Sequence, residues 1–172
     1  NLSSPAQQFY DNIIMNTNVI EQAYRSKVRK LIAFSSACAF PGDLLVQSED
    51  KLHKGEPYPA HKSYAYAKRM VDIQIEAYNQ QYKTNYSTVI PGNIFGEHDN
   101  FSLKDGHVIP ALIHKCYLAK KNNTPFKVWG TGEASREFIY SVDIAKACLM
   151  MLEKDDPDKL IVSGELLKIK KM

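Results

Sequence analysis

Apolar positions recur at helical spacing near the start of the chain. Ser4-Pro5-Ala6-Gln7 has the form of a helix start: Ser4 can cap, Pro5 suits the first helical position and Gln7 completes a capping box. Phe9, Ile13, Val19, Ile20, Ala23 and Tyr24 follow, which predicts a helix over about 6–26. After a basic turn, Leu31 to Phe34 is a short run apolar on both faces and reads as a central parallel strand. Pro41-Gly42 breaks the pattern, and 42–63 reads as loop. Met70, Val71, Ile73, Ile75 and Tyr78 mark a second helix over about 64–82. Tyr86 to Ile90 alternates, is β-branched, and stops at Pro91-Gly92 as a strand would. A polar loop over 95–106 precedes a helix over about 109–121 and a predicted strand at 126–129, which Gly130-Thr131-Gly132 turns. Ser141-Val142-Asp143 opens a helix to about Lys154, and Leu160 to Val162 is a last short strand.

Helices alternating with strands imply an α/β domain with a largely parallel sheet. Composition agrees. The chain has 172 residues and is 44% hydrophobic, enough for one domain with a sizeable core and too apolar for a disordered chain. Its net charge of +3 argues against a protein that binds nucleic acid by neutralising phosphates. The longest apolar run, Ala147 to Leu152, is far short of the roughly 18 residues of a membrane span, and the first residues do not read as a signal peptide. Cys38, Cys116 and Cys148 are odd in number and widely spaced, so a reducing, cytoplasmic compartment is expected and no disulfide framework. Cys116 and Cys148 read as core residues on apolar helix faces. His53, His61, His98 and His114 have no metal-ligand spacing, so no metal is expected, and the lysine pairs read as solvated charge.

In a parallel α/β sheet, ligands sit at the carboxyl ends of the strands. That directs attention to Ser35-Ser36 and to Pro91-Gly92-Asn93. Tyr64 and Lys68 are four apart at the start of a helix and share one face. A free phenol titrates at about 10, and an ammonium one turn away favours the phenolate, so the pair forms a plausible acid–base unit. On that motif alone, an ordinary helix face is the stronger reading, because YxxxK occurs by chance in many helices. Ser36 shifts the balance, because a hydroxyl ending a buried strand can hold a substrate oxygen beside Tyr64, although a small residue there also serves simply as a turn former.

Strand-Ser-Ser, then YxxxK on the next long helix, then strand-Pro-Gly-Asn resembles the short-chain dehydrogenase/reductase superfamily in its extended, sugar-nucleotide branch. There a Ser–Tyr–Lys triad moves a proton while a nicotinamide cofactor moves a hydride. Within the branch, four segments resemble the GDP-L-fucose synthase family, in order and with similar spacing. They are Ser36-Ala37-Cys38-Ala39-Phe40-Pro41, Pro91 to Gly96 with His98 to Phe101, His107-Val108-Ile109-Pro110, and Val128 to Gly132 ending in Arg136-Glu137-Phe138.

The resemblance implies a Rossmann-like, doubly wound fold and NADPH-dependent 3,5-epimerisation and 4-reduction of GDP-4-keto-6-deoxy-D-mannose to GDP-L-fucose. Ser36, Tyr64 and Lys68 would serve the reduction, with Cys38 and His107 as the epimerising pair. A thiol titrating at about 8.5 and an imidazole at about 6.5 both exchange protons at neutral pH. Without the family, Cys38 reads as a small buried residue and His107 as a helix-start or surface histidine. Phe34, Ser35, Ser36 and Ala37 would line NADP(H), with Pro91, Gly92, Asn93 and Ile94 opposite them and His107 nearby. Lys68 would also hold the nicotinamide ribose. Lys115, Trp129 and Arg136 match substrate-contacting positions, and the guanidinium of Arg136 suits a diphosphate. NADP rather than NAD comes from the family alone, as does a homodimer built on the helices at 6–26 and 64–82, with Tyr10, Ile14, Tyr24, Met70, Ile73 and Tyr78 as its apolar surface. The family's GxxGxxG loop is not found, so the sequence reads as a partial domain: the catalytic half with the start of the substrate-binding region. Two alternatives remain: another NAD(P)-dependent nucleotide-sugar epimerase or dehydratase, and a non-catalytic Rossmann-like binding protein.

Overall fold

The computed structural model describes residues 4–44, 46–130, 135–154 and 159–164, and the backbone of 166–168. The chain divides into two compact units, Asn1–Gly92 with Ala145–Val162, and Asn93–Ile144 with Ser163–Met172.

In the first unit, α1 (Pro5–Arg25), β1 (Leu31–Phe34), α2 (Lys62–Tyr82), β2 (Tyr86–Pro91) and β5 (Lys159–Val162) build a parallel sheet of order β1-β2-β5. The register pairs Leu31 with Tyr86 and Phe34 with Val89, then Thr88 with Lys159 and Pro91 with Val162. All six residues of β2 are buried, as befits a central parallel strand covered on both faces. Tyr86 and Ile90 share one face of that strand. At one end Tyr86 packs with Ile20 and Ala23 of α1 and Ile75 of α2. At the other, Ile90 packs with Ala39, Phe40 and Leu52 of the segment between β1 and α2.

Helix α2 is fixed at its C-terminus by one side chain. Asn79 donates from Nδ2 to the Tyr86 carbonyl at 2.8 Å and accepts the Tyr86 N–H on Oδ1 at 3.0 Å. Lys83, at φ 56°, turns the chain between them. Two charged residues of α2 are buried, Arg69 and Asp72. Asp72 receives His53 Nε2 at 2.8 Å and Lys159 Nζ at 2.5 Å, tying the 42–61 segment and β5 to the helix. Burial pulls the Lys159 ammonium down, but the Asp72 and Glu76 carboxylates outweigh it and raise its pKa.

In the second unit, β3 (Asn93–Phe95) pairs parallel with β4 (Ser135–Tyr140), and β4 pairs antiparallel with β6 (Leu166–Lys168). Helix α3 (Val108–Lys121) belongs to this unit, and α4 (Ser141–Glu153) runs from it into the first, where Ala145 onward lies.

Several expectations need correction. The capping box does not form: Ser4 stands at the N-cap with no side-chain bond, and Gln7 donates to Asp11 at 2.7 Å instead. No strand occurs at 126–129, where Phe126 and Trp129 stay exposed and no described edge pairs with the backbone, a pairing a strand requires. The strand lies later, in β4, where Phe138 and Ile139 are buried. Cys116 is exposed and Cys148 half-buried, so neither is a full core residue; Pro110 is the buried residue of α3. Burial nevertheless raises the Cys148 thiol pKa. The expected turn at Thr131-Gly132 and the lysines after 168 lie outside the described residues.

Asp72→Asn leaves Lys159 with only Glu76 among these partners, inside a partly buried site. Breaking a buried ion pair from one side costs about 3–5 kcal/mol, and the low end applies here because Lys159 keeps one carboxylate. A denaturant melt should show that loss, and an unchanged midpoint would contradict it.

Candidate active site

Strand β1 ends at Phe34, and the chain turns at once into a short 3₁₀ turn, Ala37–Ala39. Two bonds stitch this end to the side of α2. Ser35 donates from Oγ to the Lys68 carbonyl at 3.0 Å, and Lys68 Nζ donates to the Phe34 carbonyl at 3.2 Å. The Ser35 N–H also donates to the Val89 carbonyl at 2.9 Å, continuing the sheet ladder.

Ser36 caps the turn. Its backbone is extended, and its Oγ accepts the Cys38 N–H at 3.2 Å. The same hydroxyl lies close enough to the Tyr64 phenol to favour its ionised form. Lys68 Nζ lies 5.8 Å from the Tyr64 ring centre. Ser36, Cys38, Tyr64 and Lys68 are therefore one cluster within the first unit, at the sheet's carboxyl edge. Pro91 and Gly92 leave the same edge, with the Gly92 N–H on the Val162 carbonyl at 3.0 Å. A cavity of about 210 Å³ opens beside Tyr64, lined by Pro5, Gln8, Pro59, His61 and Ser63.

The electrostatics differ from the sequence expectation in one respect. Burial raises the Tyr64 pKa; the Ser36 contact opposes it, and the Cys38 charge adds to it. Burial also lowers Lys68. The expected lowering of Tyr64 by Lys68 is not among the influences on the phenol: the ammonium turns to the Phe34 carbonyl, and burial raises the phenol instead. A phenol held above its ordinary range stays protonated at neutral pH.

The second unit holds the other expected residues. His107 stands at the N-cap of α3, its side chain 82% exposed, with Nδ1 3.6 Å from Asp99 Oδ1. The loop before it is tightly wound: Ser102 Oγ accepts the N–H groups of Lys104 and Asp105 at 3.2 Å, and Gly106 N–H donates to the Ser102 carbonyl at 2.9 Å. A Cβ on Gly106 would come within 2.4 Å of that carbonyl, so glycine is required there. His114 Nδ1 holds the Phe101 carbonyl at 2.7 Å and fastens the loop to α3. Lys115 Nζ sits 3.6 Å from the Trp129 ring centre, a cation–π pair, and Trp129 is 78% exposed. Arg136 lies exposed on β4, its Nη1 on the Ser135 carbonyl at 2.7 Å. Asn93 donates from Nδ2 to the Glu137 carbonyl at 2.7 Å, and Ile94 is exposed on β3 beside it.

Residues 1–163 match the profile of the NAD dependent epimerase/dehydratase family. The chain belongs to this family. Among relatives, it is 43% identical over 165 residues to a GDP-L-fucose synthase of Dictyostelium discoideum, covering 95% of this chain and 52% of that protein. It is 37% identical over 156 residues to the GDP-L-fucose synthase of Escherichia coli strain K12, covering 89% and 48%. A solved structure of a GDP-L-fucose synthetase from Naegleria fowleri bound to NADP aligns with a TM-score of 0.84 at 37% identity, over 92% of this chain and 52% of that one. The chain spans about half the length of the curated relatives it matches. The expected Rossmann-like α/β fold of the epimerase/dehydratase family is thus established.

Three side chains of the first unit's site region, Arg69, Asp72 and His53, went unassigned at the level of sequence. A charged residue in an amphipathic helix reads as solvent-facing, and the partners are distant in sequence: the Ala39 and Gly55 carbonyls accept from Arg69, and His53 and Lys159 meet Asp72. Asp99 beside His107 was legible only as part of a polar loop. Among the described residues no cluster of three metal-ligating side chains occurs, and no helix is long and apolar enough to cross a membrane.

Proposed function

We propose that this protein is an NADP-dependent reductase–epimerase that converts GDP-4-keto-6-deoxy-D-mannose to GDP-L-fucose. One observation carries the reading: the Ser36 hydroxyl, which lies close to the Tyr64 phenol, accepts the Cys38 N–H, so that an acid–base tyrosine and a thiol-bearing turn meet at one strand end. A plain reductase has no use for a thiol at that place, whereas a 3,5-epimerase needs a proton acceptor and donor beside the carbonyl. The relatives' names and the NADP-bound neighbour support the substrate and the cofactor.

In this reading the first unit is the catalytic half and the second begins the substrate-binding region. Cys38 and His107 remove and return the C3 and C5 protons, with Asp99 orienting the imidazole. Ser36 then holds the C4 oxygen, and Tyr64 delivers its proton as that oxygen becomes a hydroxyl. Lys68 sets the field at the phenol and holds the nicotinamide ribose. Within the first unit the chemistry of Lys68 suits the cofactor: it keeps ammonium hydrogens beyond the one bonded to Phe34, free to meet a ribose hydroxyl. NADPH, when bound, supplies the hydride for C4. Lys115, Trp129 and Arg136 bind the nucleotide end, the guanidinium matching a diphosphate and the exposed indole a ring. The three free thiols suit a cytoplasmic site of action.

The protein acts as a homodimer in this reading. Phe9, Tyr10, Ile14, Met15 and Val19 of α1, with Met70 and Ile73 of α2, are exposed apolar side chains on two packed helices. Tyr24 and Tyr78, expected to join them, instead pack with each other at 5.7 Å and against the core. An isologous contact would bring these helices against their own copies.

Two experiments test these proposals. In deuterated water, the protein with the keto sugar and NADPH should yield product labelled at C3 and C5. Cys38→Ser should abolish most exchange while NADPH oxidation with an already epimerised keto sugar persists. Tyr64→Phe should keep exchange and lose NADPH oxidation by roughly 10²–10⁴-fold, the usual worth of a positioned general acid. Undiminished exchange at both carbons in Cys38→Ser would remove the thiol from the mechanism. For assembly, light scattering at micromolar concentration should give twice the chain's mass; a clean monomer would end the dimer proposal.

A further inference from the structure

The segment between the Cys38 turn and α2 is closed at its base. Pro41 and Pro57 bridge antiparallel, and the Gly42 N–H donates to the Glu56 carbonyl at 2.9 Å. The two legs of this segment leave side by side, one directly from the turn that carries Cys38. Arg69 of α2 lies against both. It is only 4% exposed; Nε donates to the Ala39 carbonyl at 2.6 Å and Nη1 to the Gly55 carbonyl at 2.7 Å, with the Tyr66 ring 5.3 Å from Cζ. A planar fork that stays charged can hold two carbonyls of different segments at once, which an ammonium cannot do in the same geometry. Asp72, one turn on, adds a third hold on the loop through His53.

The two neighbouring residues Lys68 and Arg69 thus reach back to the two ends of one short segment. Lys68 takes the Phe34 carbonyl and Arg69 the Ala39 carbonyl. Between those carbonyls lie Ser36 and Cys38. Tyr64 and Lys68 are held by the helix itself and by the Phe34 and Ser35 bonds. The thiol sits in a turn of three residues that is held by its own short bonds, among them the Cys38 N–H to Ser36 Oγ at 3.2 Å, and whose last carbonyl Arg69 grips from the helix.

We propose that Arg69 is the positioning residue of Cys38, its guanidinium locking the thiol-bearing turn to the helix that carries Tyr64 and Lys68 while touching no substrate itself. The proposal rests on the epimerase reading above. It makes epimerisation and reduction separable at a buried residue outside the reacting atoms.

The test uses the intact protein with NADP(H) and two variants, Arg69→Lys and Arg69→Met; should Arg69→Met fail to fold, Arg69→Lys carries the test. Solvent deuterium exchange at C3 and C5 should fall roughly 10–100-fold, as expected when a reacting group moves by about 1 Å. Oxidation of GDP-L-fucose by NADP⁺, which needs Tyr64 and not Cys38, should change by less than about threefold. Backbone amide exchange supplies an arm that involves no sugar. The Ala39 and Phe40 amides, bonded to the Ser36 and Ala37 carbonyls at 2.9 and 3.2 Å, should lose protection in Arg69→Lys while those of α2 keep theirs. Equal losses in exchange and oxidation would mark Arg69 as merely structural and overturn the proposal, as would unchanged protection at Ala39 and Phe40. A wild-type protein that exchanges neither proton would sink the epimerase reading, and the positioning role of Arg69 in catalysis with it; the amide arm would then separately decide whether the lock on the turn exists.

Discussion

The attachment of α2 to the carboxyl edge of the β1–β2 sheet is the constraint on which the site depends. A helix lying on a sheet can slide along its own axis unless polar bonds fix it. Here the Asn79 amide fixes its far end to the first residue of β2, and Lys68 and Ser35 fix its near half to the last residues of β1. With the axial position set, Tyr64 and Lys68 fall opposite Ser36 by helix geometry alone. The apolar cluster of Ile20, Ala23, Ile75 and Tyr86 supplies the adhesion, but apolar contact is non-directional and would tolerate a small shift. The polar stitches make the placement specific: Asn79 and Lys68 meet backbone groups at strand ends, and Ser35 adds a bond to a carbonyl of the helix itself.

Electrostatics follow from that placement. Docking α2 against the strand end removes water from Tyr64 and Lys68 together, which favours the neutral form of each. The Ser36 hydroxyl is the counterweight on the phenol and at the same time the cap of the Cys38 turn. One hydroxyl therefore serves two groups whose chemistry differs. That economy is open to an extended-backbone serine just past a strand, whose Oγ can face a neighbouring helix and also fold back on the N–H two residues ahead.

Much of the first unit was legible in the sequence, for plain physical reasons. Buried strands such as Leu31–Phe34 and Tyr86–Pro91 are short apolar runs with turn residues at their ends, and α1 and α2 show helical apolar spacing. The second unit was less legible. Strand β4 opens with Ser-Arg-Glu, exposed or half-exposed residues that mask the buried Phe138-Ile139 pair behind them. The aromatic run at 126–129 has strand-like composition, yet a strand exists only where an edge accepts it, and Trp129 is met by Lys115 instead. Cys116 looked like core because α3 is apolar overall, although most of that helix is only partly covered. At the site, Ser36, Tyr64 and Lys68 were legible because strand ends and helix spacing place them without reference to side-chain detail. Arg69 and Asp72 were not, because a buried charge is stabilised by partners distant in sequence, and nothing local in an amphipathic helix announces it.

The central claim is that Ser36 joins the two chemistries at one hydroxyl, and Ser36→Ala in the intact protein tests it most directly. Solvent deuterium exchange at C3 and C5 and NADPH oxidation with an epimerised keto sugar should be followed side by side. The account predicts that both fall, exchange because the Cys38 turn loses its cap and oxidation because Tyr64 loses its partner at the substrate oxygen. A variant that loses NADPH oxidation while exchanging both protons at the wild-type rate would contradict it.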